Sequence, residues 1–245
     1  MSCHLCLKKI PLIKKSHILS NFLYSSLRDT DNAMISFKNS NLSQPTTIYT
    51  GVFEEGLLCS NCDNKVIGRY ELYASQVIRA QSGMSGINIT FFKDNTGVEK
   101  YAKLEGIDYK KFKLFLLSII WRSSISKRDF FKKIKLDPGD EEKLRKMIIE
   151  EDPGKPDDFP CVIAIARNSE LMNGLIREPS KFAEGYKFLI AGAIYHFYIQ
   201  KPFPAFVTKS AIQDSNTMCL FFMSDEWIRK SEKEITDQFS DNPFV

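Results

Sequence analysis

The sequence predicts an α+β protein in two parts, and three observations carry that prediction. Two Cys-x-x-Cys turns, Cys3 with Cys6 and Cys59 with Cys62, clip an N-terminal module together. A strongly apolar run over residues 109–121 reads as a buried central helix, with more helix after it. From Cys161 onward the pattern turns to short strand-like runs, so a mainly antiparallel sheet follows the helices.

A Cys-x-x-Cys turn aims two sulfurs at one point, and two such turns complete a tetrahedral thiolate site for Zn²⁺. Cys3, Cys6, Cys59 and Cys62 are the expected structural zinc ligands. Residues 7–58 lie between the pairs, far more than the roughly 15–20 of a simple zinc ribbon. A folded segment must therefore sit inside the metal clip. An apolar content of 43% and a charged content of 26% are those of an ordinary globular protein. The first residues lack the charged and apolar regions of a secretory signal. No apolar run is long enough to span a bilayer. A cytoplasmic, reduced, metal-binding protein without a membrane partner is expected, and the cysteines are not expected to pair as disulfides.

Residues 1–28 carry Lys8, Lys9, Lys14, Lys15 and Arg28 and no acidic residue. Charge of one sign on a small metal module favours a phosphate-bearing partner, although a merely solvated face has the same composition. Residues 14–19 read as the end of a short strand, and 21–27 have helical spacing of Phe22, Leu23 and Leu27. The polar stretch 29–47 reads as loop or irregular hairpin, and 48–53 as a strand returning toward the metal. After Cys62 a helix is expected, with Tyr70, Tyr73, Ala74 and Val77 on one stripe. It runs out near residues 81–86, the best linker in the chain. This divides the protein into a module over 1–85 and an α+β domain over 86–245.

Cys3-x-x-Cys6, His17, then Leu57-Leu58-Cys59-x-x-Cys62 with Lys65 behind it, resembles the HNH nuclease motif on a zinc-stapled ββα-metal (treble-clef) module. The resemblance covers about the first 80 residues. It implies that His17 is a general base activating water against a phosphodiester. A Mg²⁺ or Mn²⁺ ion, distinct from the zinc, would hold the scissile phosphate. Where the family has Asp or His before the base, this chain has Ser16. Glu54 stands at the place of the family's Asn, and Asp63 and Asn64 follow the fourth cysteine. Glu54, Asp63 and Asn64 are thus the candidate ligands of the catalytic ion, because hard oxygens suit hard ions, and Glu71 is a further carboxylate of this kind. Lys8, Lys9, Lys14, Lys15 and Lys65 would contact nucleic acid, DNA rather than RNA. The resemblance also implies a role in phage defence or a mobile element. A zinc-binding adaptor without catalysis, for nucleic acid or protein, is the alternative.

In the second part, residues 87–92 read as a strand. The helix over 109–121 is expected to end at Trp121 and Arg122, with 127–134 continuing helically and a third helix over 140–151. Strands are expected over 161–166, over 186–199 with a turn at Ala191-Gly192, and over 218–223. A last helix is capped by Ser224. Charge divides sharply: residues 100–135 are mostly basic and 137–158 mostly acidic. Tyr101, Tyr109, Phe130 and Phe131 within the basic block are either a second phosphate-contacting surface or core. Cys161 and Cys219 read as buried free thiols, and His196 as a core or interface residue. No phosphate-loop or nucleophile-elbow pattern occurs. The role expected for this half is the choice of a target, a protein partner or a second copy of the chain.

Overall fold

The structure is a computed structural model and describes residues 1–38, 41–79 and 86–237. Of the expected linker at 81–86, residues 81–85 lie outside those residues. The N-terminal part runs β1 (Ser16–His17), a 3₁₀ turn (Asn21–Leu27), β2 (Met34–Lys38), β3 (Asn41–Ile48), β4 (Phe53–Glu54), a π-helical stretch (Asn61–Ile67) and α1 (Gly68–Arg79). The polar stretch before β4 is the irregular hairpin β2–β3, whose register shifts between Ser36 and Lys38. β1 and β4 pair antiparallel, Ser16 opposite Glu54 and His17 opposite Phe53.

The remainder runs β5 (Asn88–Lys93), β6 (Glu99–Glu105), α2 (Tyr109–Ile125), α3 (Pro138–Glu150), β7 (Cys161–Ile165), α4 (Glu170–Asn173), β8 (Ser180–Phe182), β9 (Gly185–Ile190), β10 (Ala193–Tyr198), α5 (Ala205–Ser210), β11 (Thr217–Phe222) and α6 (Asp225–Asp237). Seven strands form one sheet in the order β5-β6-β11-β7-β10-β9-β8. Every pairing is antiparallel except β11 with β7. The β9–β10 turn is the predicted Ala191-Gly192 pair, both at positive φ, the geometry that closes a tight hairpin. Ser224 caps α6 by accepting from Trp227 N.

α2 is the central helix. Asp108 caps it by accepting from Lys111 N, and fourteen of its residues are buried. One face of the sheet (Leu104, Met218, Ile163, Tyr195, Phe188) packs with α2 in a single apolar cluster. That cluster also takes in Leu5, Ile18, Leu58 and Tyr70 of the N-terminal part. The opposite face is covered by Met172, Ile228 and Ile235 and, separately, by Val207. Tyr109 and Phe131 belong to the buried cluster and are core. Cys161 is buried, whereas Cys219 is only half-buried, opposite Lys103 on β6. Among the described residues no helix is long and apolar enough to cross a membrane.

Two expectations about this region are corrected. α2 does not stop at Trp121 and Arg122 but continues to Ile125, and residues 127–134 hold only a 3₁₀ turn at Asp129–Phe131. The cause is Glu54, whose carboxylate accepts from Ser126 Oγ at 2.7 Å and from Lys127 N at 3.0 Å. An amide bonded to a carboxylate across the fold is withdrawn from the helical ladder, and the chain leaves α2 extended.

Lys113 lies inside this core at 2% exposure. It donates to Tyr109 Oη at 3.0 Å and to Lys155 O. Burial lowers its pKa from 10.5 to about 8, against the pull of Asp158 and Asp157. A lysine with a folded pKa below its unfolded value costs stability while charged; the cost is full below about pH 8 and fades by about pH 10.5. That shift is a ceiling of about 3 kcal/mol, less about 1 for the lost hydrogen bonds. Lys113→Met should therefore be more stable than the parent by about 1–2 kcal/mol at pH 7. Urea titrations should show the advantage shrinking as pH rises through 8 to 10.

Candidate functional site

The four cysteines converge. All four Sγ atoms lie within 4.8 Å of one another, and Cys6 Sγ is 4.0 Å from Cys59 Sγ. A tetrahedral Zn²⁺ with Zn–S near 2.3 Å sets its sulfurs about 3.8 Å apart, so the donor set fits a zinc ion. Main-chain bonds align the two turns. His4 N donates to Leu57 O, Ile13 N to Leu58 O and Gly56 N to Ile13 O. Leu7 at φ 62 turns the first pair back on itself, and its amide donates to Cys3 O at 2.8 Å. Burial, with three sulfurs nearby, pushes the Cys62 thiol far up. Burial also raises Cys59, with Cys3 adding to it. In Cys3 amide donors outweigh burial and lower the pKa. A dication would relieve the crowding by holding the sulfurs as thiolates.

The second pair opens the helix, and the cysteine cluster thereby sets the helix beside β1. Over Asn61–Ile67 the turn is widened, with Gly68 N donating to Asp63 O five residues back. A π turn takes about 4.4 residues instead of 3.6, which rotates Asp63 and Glu71 toward a common side of the helix. Ser16 Oγ donates to Asp63 Oδ1 at 2.6 Å, and Ser20 Oγ to Glu71 Oε1 at 2.6 Å. The strand carrying His17 is thus pinned on both sides to carboxylates of the helix.

His17 is half-buried. Its Nε2 shares a 3.0 Å hydrogen bond with Thr50 Oγ1, and its ring meets the Phe53 ring edge-on at 6.3 Å. Thr50 is held in place because Gly51 has no side chain: a Cβ there would lie 2.2 Å from the Tyr24 ring. Tyr24 Oη in turn accepts from Val52 N. Burial lowers the His17 pKa below 6.5; Glu71 and Asp63 oppose the shift, and Arg122 and Arg28 add to it. Burial raises the Asp63 pKa in spite of the Ser16 bond.

Arg122, from the last turn of α2, has no counterpart among the site residues expected from the sequence. It is 1% exposed. Its Nη1 donates to His17 O at 2.7 Å and pairs with Glu71 Oε1 at 2.8 Å. Nε and Nη2 bond Ser118. One buried guanidinium thus ties together the strand of His17, the helix of Glu71 and the core of the second half. An arginine inside an apolar run reads locally as a helix end, and no short-range signal announces a partner 105 residues away.

The remaining expected residues are scattered. Glu54 is spent on Ser126 and Lys127 N. The Asn64 amide donates to Ser60 Oγ within its own helix. Among the described residues, the cysteines are the only set of three or more His, Cys, Asp or Glu donors close enough to share an ion. Glu54 and Asp63 belong to no such set of three. Lys8, Lys9, Lys14, Lys15 and Lys65 are all exposed. Lys15 stands over the Phe53 ring at 5.4 Å, next to His17. No protein-family model, no curated protein and no solved structure matches this chain.

Proposed function

We propose that the protein is an HNH-type endonuclease built on a zinc-stapled treble-clef module, with His17 as the general base. The observation that carries this reading is a half-buried imidazole at the end of β1, hydrogen-bonded to Thr50 and set beside the helix that bears Asp63 and Glu71 and follows the second cysteine pair. The order is knuckle, hairpin, second knuckle and helix, as in a ββα-metal site. His17 would take a proton from water attacking a phosphodiester, and Thr50 would hold the ring. A hard divalent ion enters this reading with the substrate, since Mg²⁺ is commonly held by one or two carboxylates plus phosphate oxygens. Asp63 is the carboxylate best placed for that.

A second reading has its own support: Glu54 and Asn64 are occupied elsewhere, as befits a zinc-stapled nucleic-acid adaptor without catalysis. Plasmid nicking with added Mg²⁺ or Mn²⁺ separates the two. On the first reading His17→Ala should reduce the rate by about 10²–10⁴-fold. The base must be unprotonated and burial lowers its pKa, so the acid limb of the pH–rate profile should lie below that of a free imidazole. Nucleic-acid binding without cleavage by the folded parent, whatever the divalent ion, leaves the adaptor. Nicking that survives His17→Ala removes His17 as the base.

A further inference from the structure

Beside His17, one aromatic ring carries two cations that lie far apart in the sequence. Lys15 Nζ lies 5.4 Å from the Phe53 centroid and the Arg128 guanidinium 5.5 Å from it. Neither has a carboxylate within ion-pairing distance among the described residues, although Glu55 and Asp129 are near in sequence. Two exposed cations over one ring, neither matched by a carboxylate among those residues, make a positive patch suited to a polyanion. The two differ in order. Lys15 sits on a flexible stem, whereas Arg128 is fixed: its Nε donates to Phe53 O at 2.7 Å and its amide to Ser126 Oγ at 3.2 Å. Ser126 is itself held by Glu54. The Nε bond leaves the Nη1 and Nη2 edge of an exposed guanidinium facing solvent, a planar fork that matches two oxygens of one phosphate.

We propose that Arg128, with Lys15, grips a backbone phosphate of the nucleic-acid strand presented to His17. The inference rests on the nucleic-acid reading above and adds a residue from the second half of the chain to that surface. It also gives the carboxylate of Glu54 a purpose: it shapes the segment that carries the fork. Lys14 and Lys127, both exposed, extend the same positive edge.

Fluorescence anisotropy with a short labelled DNA duplex, in buffer without added divalent ion and over a series of salt concentrations, tests it. Arg128→Ala should weaken binding about 5–20-fold at low salt and reduce the slope of log K against log salt by about 1, one phosphate contact. Lys15→Ala should lower the slope similarly. Arg128→Lys should keep the slope but bind more weakly, because the charge remains and the fork is lost. Lys201→Ala, at a cation already paired with Asp157, should change neither. If Arg128→Ala fails to fold, Arg128→Gln carries the same test. An unchanged slope in a folded Arg128 variant overturns the clamp while the nuclease reading stands. Reduced slope and affinity without cleavage by the parent keep the clamp and remove the chemistry. No binding by the parent at any salt concentration overturns both.

Discussion

Cys62→Ser should leave the N-terminal part without cooperative structure. Zinc content should fall from about one atom per chain to a small fraction of that, because a hydroxyl is a poor fourth ligand at a thiolate centre. Structural zinc in small modules contributes an apparent 10–16 kcal/mol or so, more than the whole stability of most domains. The main-chain bonds of residues 3–13 to residues 56–59 are too few to replace it. Cys62 is fully buried among Cys3, Leu5, Leu58 and Ile67, and that cluster is continuous with α2. The loss should therefore reach the second half as a lowered melting temperature, not as a separate N-terminal transition. Elemental analysis and circular dichroism of the same preparation measure the two effects. A metal-free variant that melts like the parent would show that the four sulfurs are not a staple.

The second large effect belongs to Arg122. Arg122→Ala should cost about 3–5 kcal/mol, the range for removing one partner of a buried ion pair, since Glu71, the His17 carbonyl and Ser118 all lose a donor together. Glu71 is 24% exposed on its side chain, so water recovers part of the loss and the lower end of the range is expected. The double variant Arg122→Met with Glu71→Leu should be less destabilised than the sum of its singles by at least about 1 kcal/mol. Urea denaturation of the four proteins closes the cycle, and strict additivity would reduce the contact to two uncoupled effects. The variant also bears on function. If His17 is the base, losing the donor to its carbonyl should depress cleavage in Arg122→Ala more than an equally destabilised core variant does.

What the sequence disclosed, and what it hid, follows the range of each interaction. The four cysteines were readable because a metal site is written in two local spacings. The apolar helix, the Ala191-Gly192 hairpin and the Ser224 cap were readable for the same reason: each is decided within a few neighbours. The place of His17 at the end of a short strand was also readable. Arg122 was not, since its partners lie on other elements and its own surroundings look like a helix terminus. Nor was the π-helical turn at Asn61–Ile67, which no residue type encodes. The fate of Glu54 was hidden too. A carboxylate beside a histidine strand invites a metal reading, and only the fold reveals the Lys127 amide that claims it. Arg128 needed both halves of the chain at once, because Phe53 links it to Lys15.

The widened turn between Cys62 and Gly68 has a practical corollary for anyone assaying this protein. A helix whose first turn carries Cys62 and Asp63, and whose later turn carries Glu71, would lose its phase beside β1 if a metal anchor at the cysteines were removed. On the nuclease reading, a chelator that strips the cysteine site should abolish cleavage even if no metal touches the phosphate. Inhibition by a chelator followed by recovery with Zn²⁺ reports on scaffolding. Recovery that needs Mg²⁺ or Mn²⁺ on top of intact zinc is the signature of a metal in the chemistry.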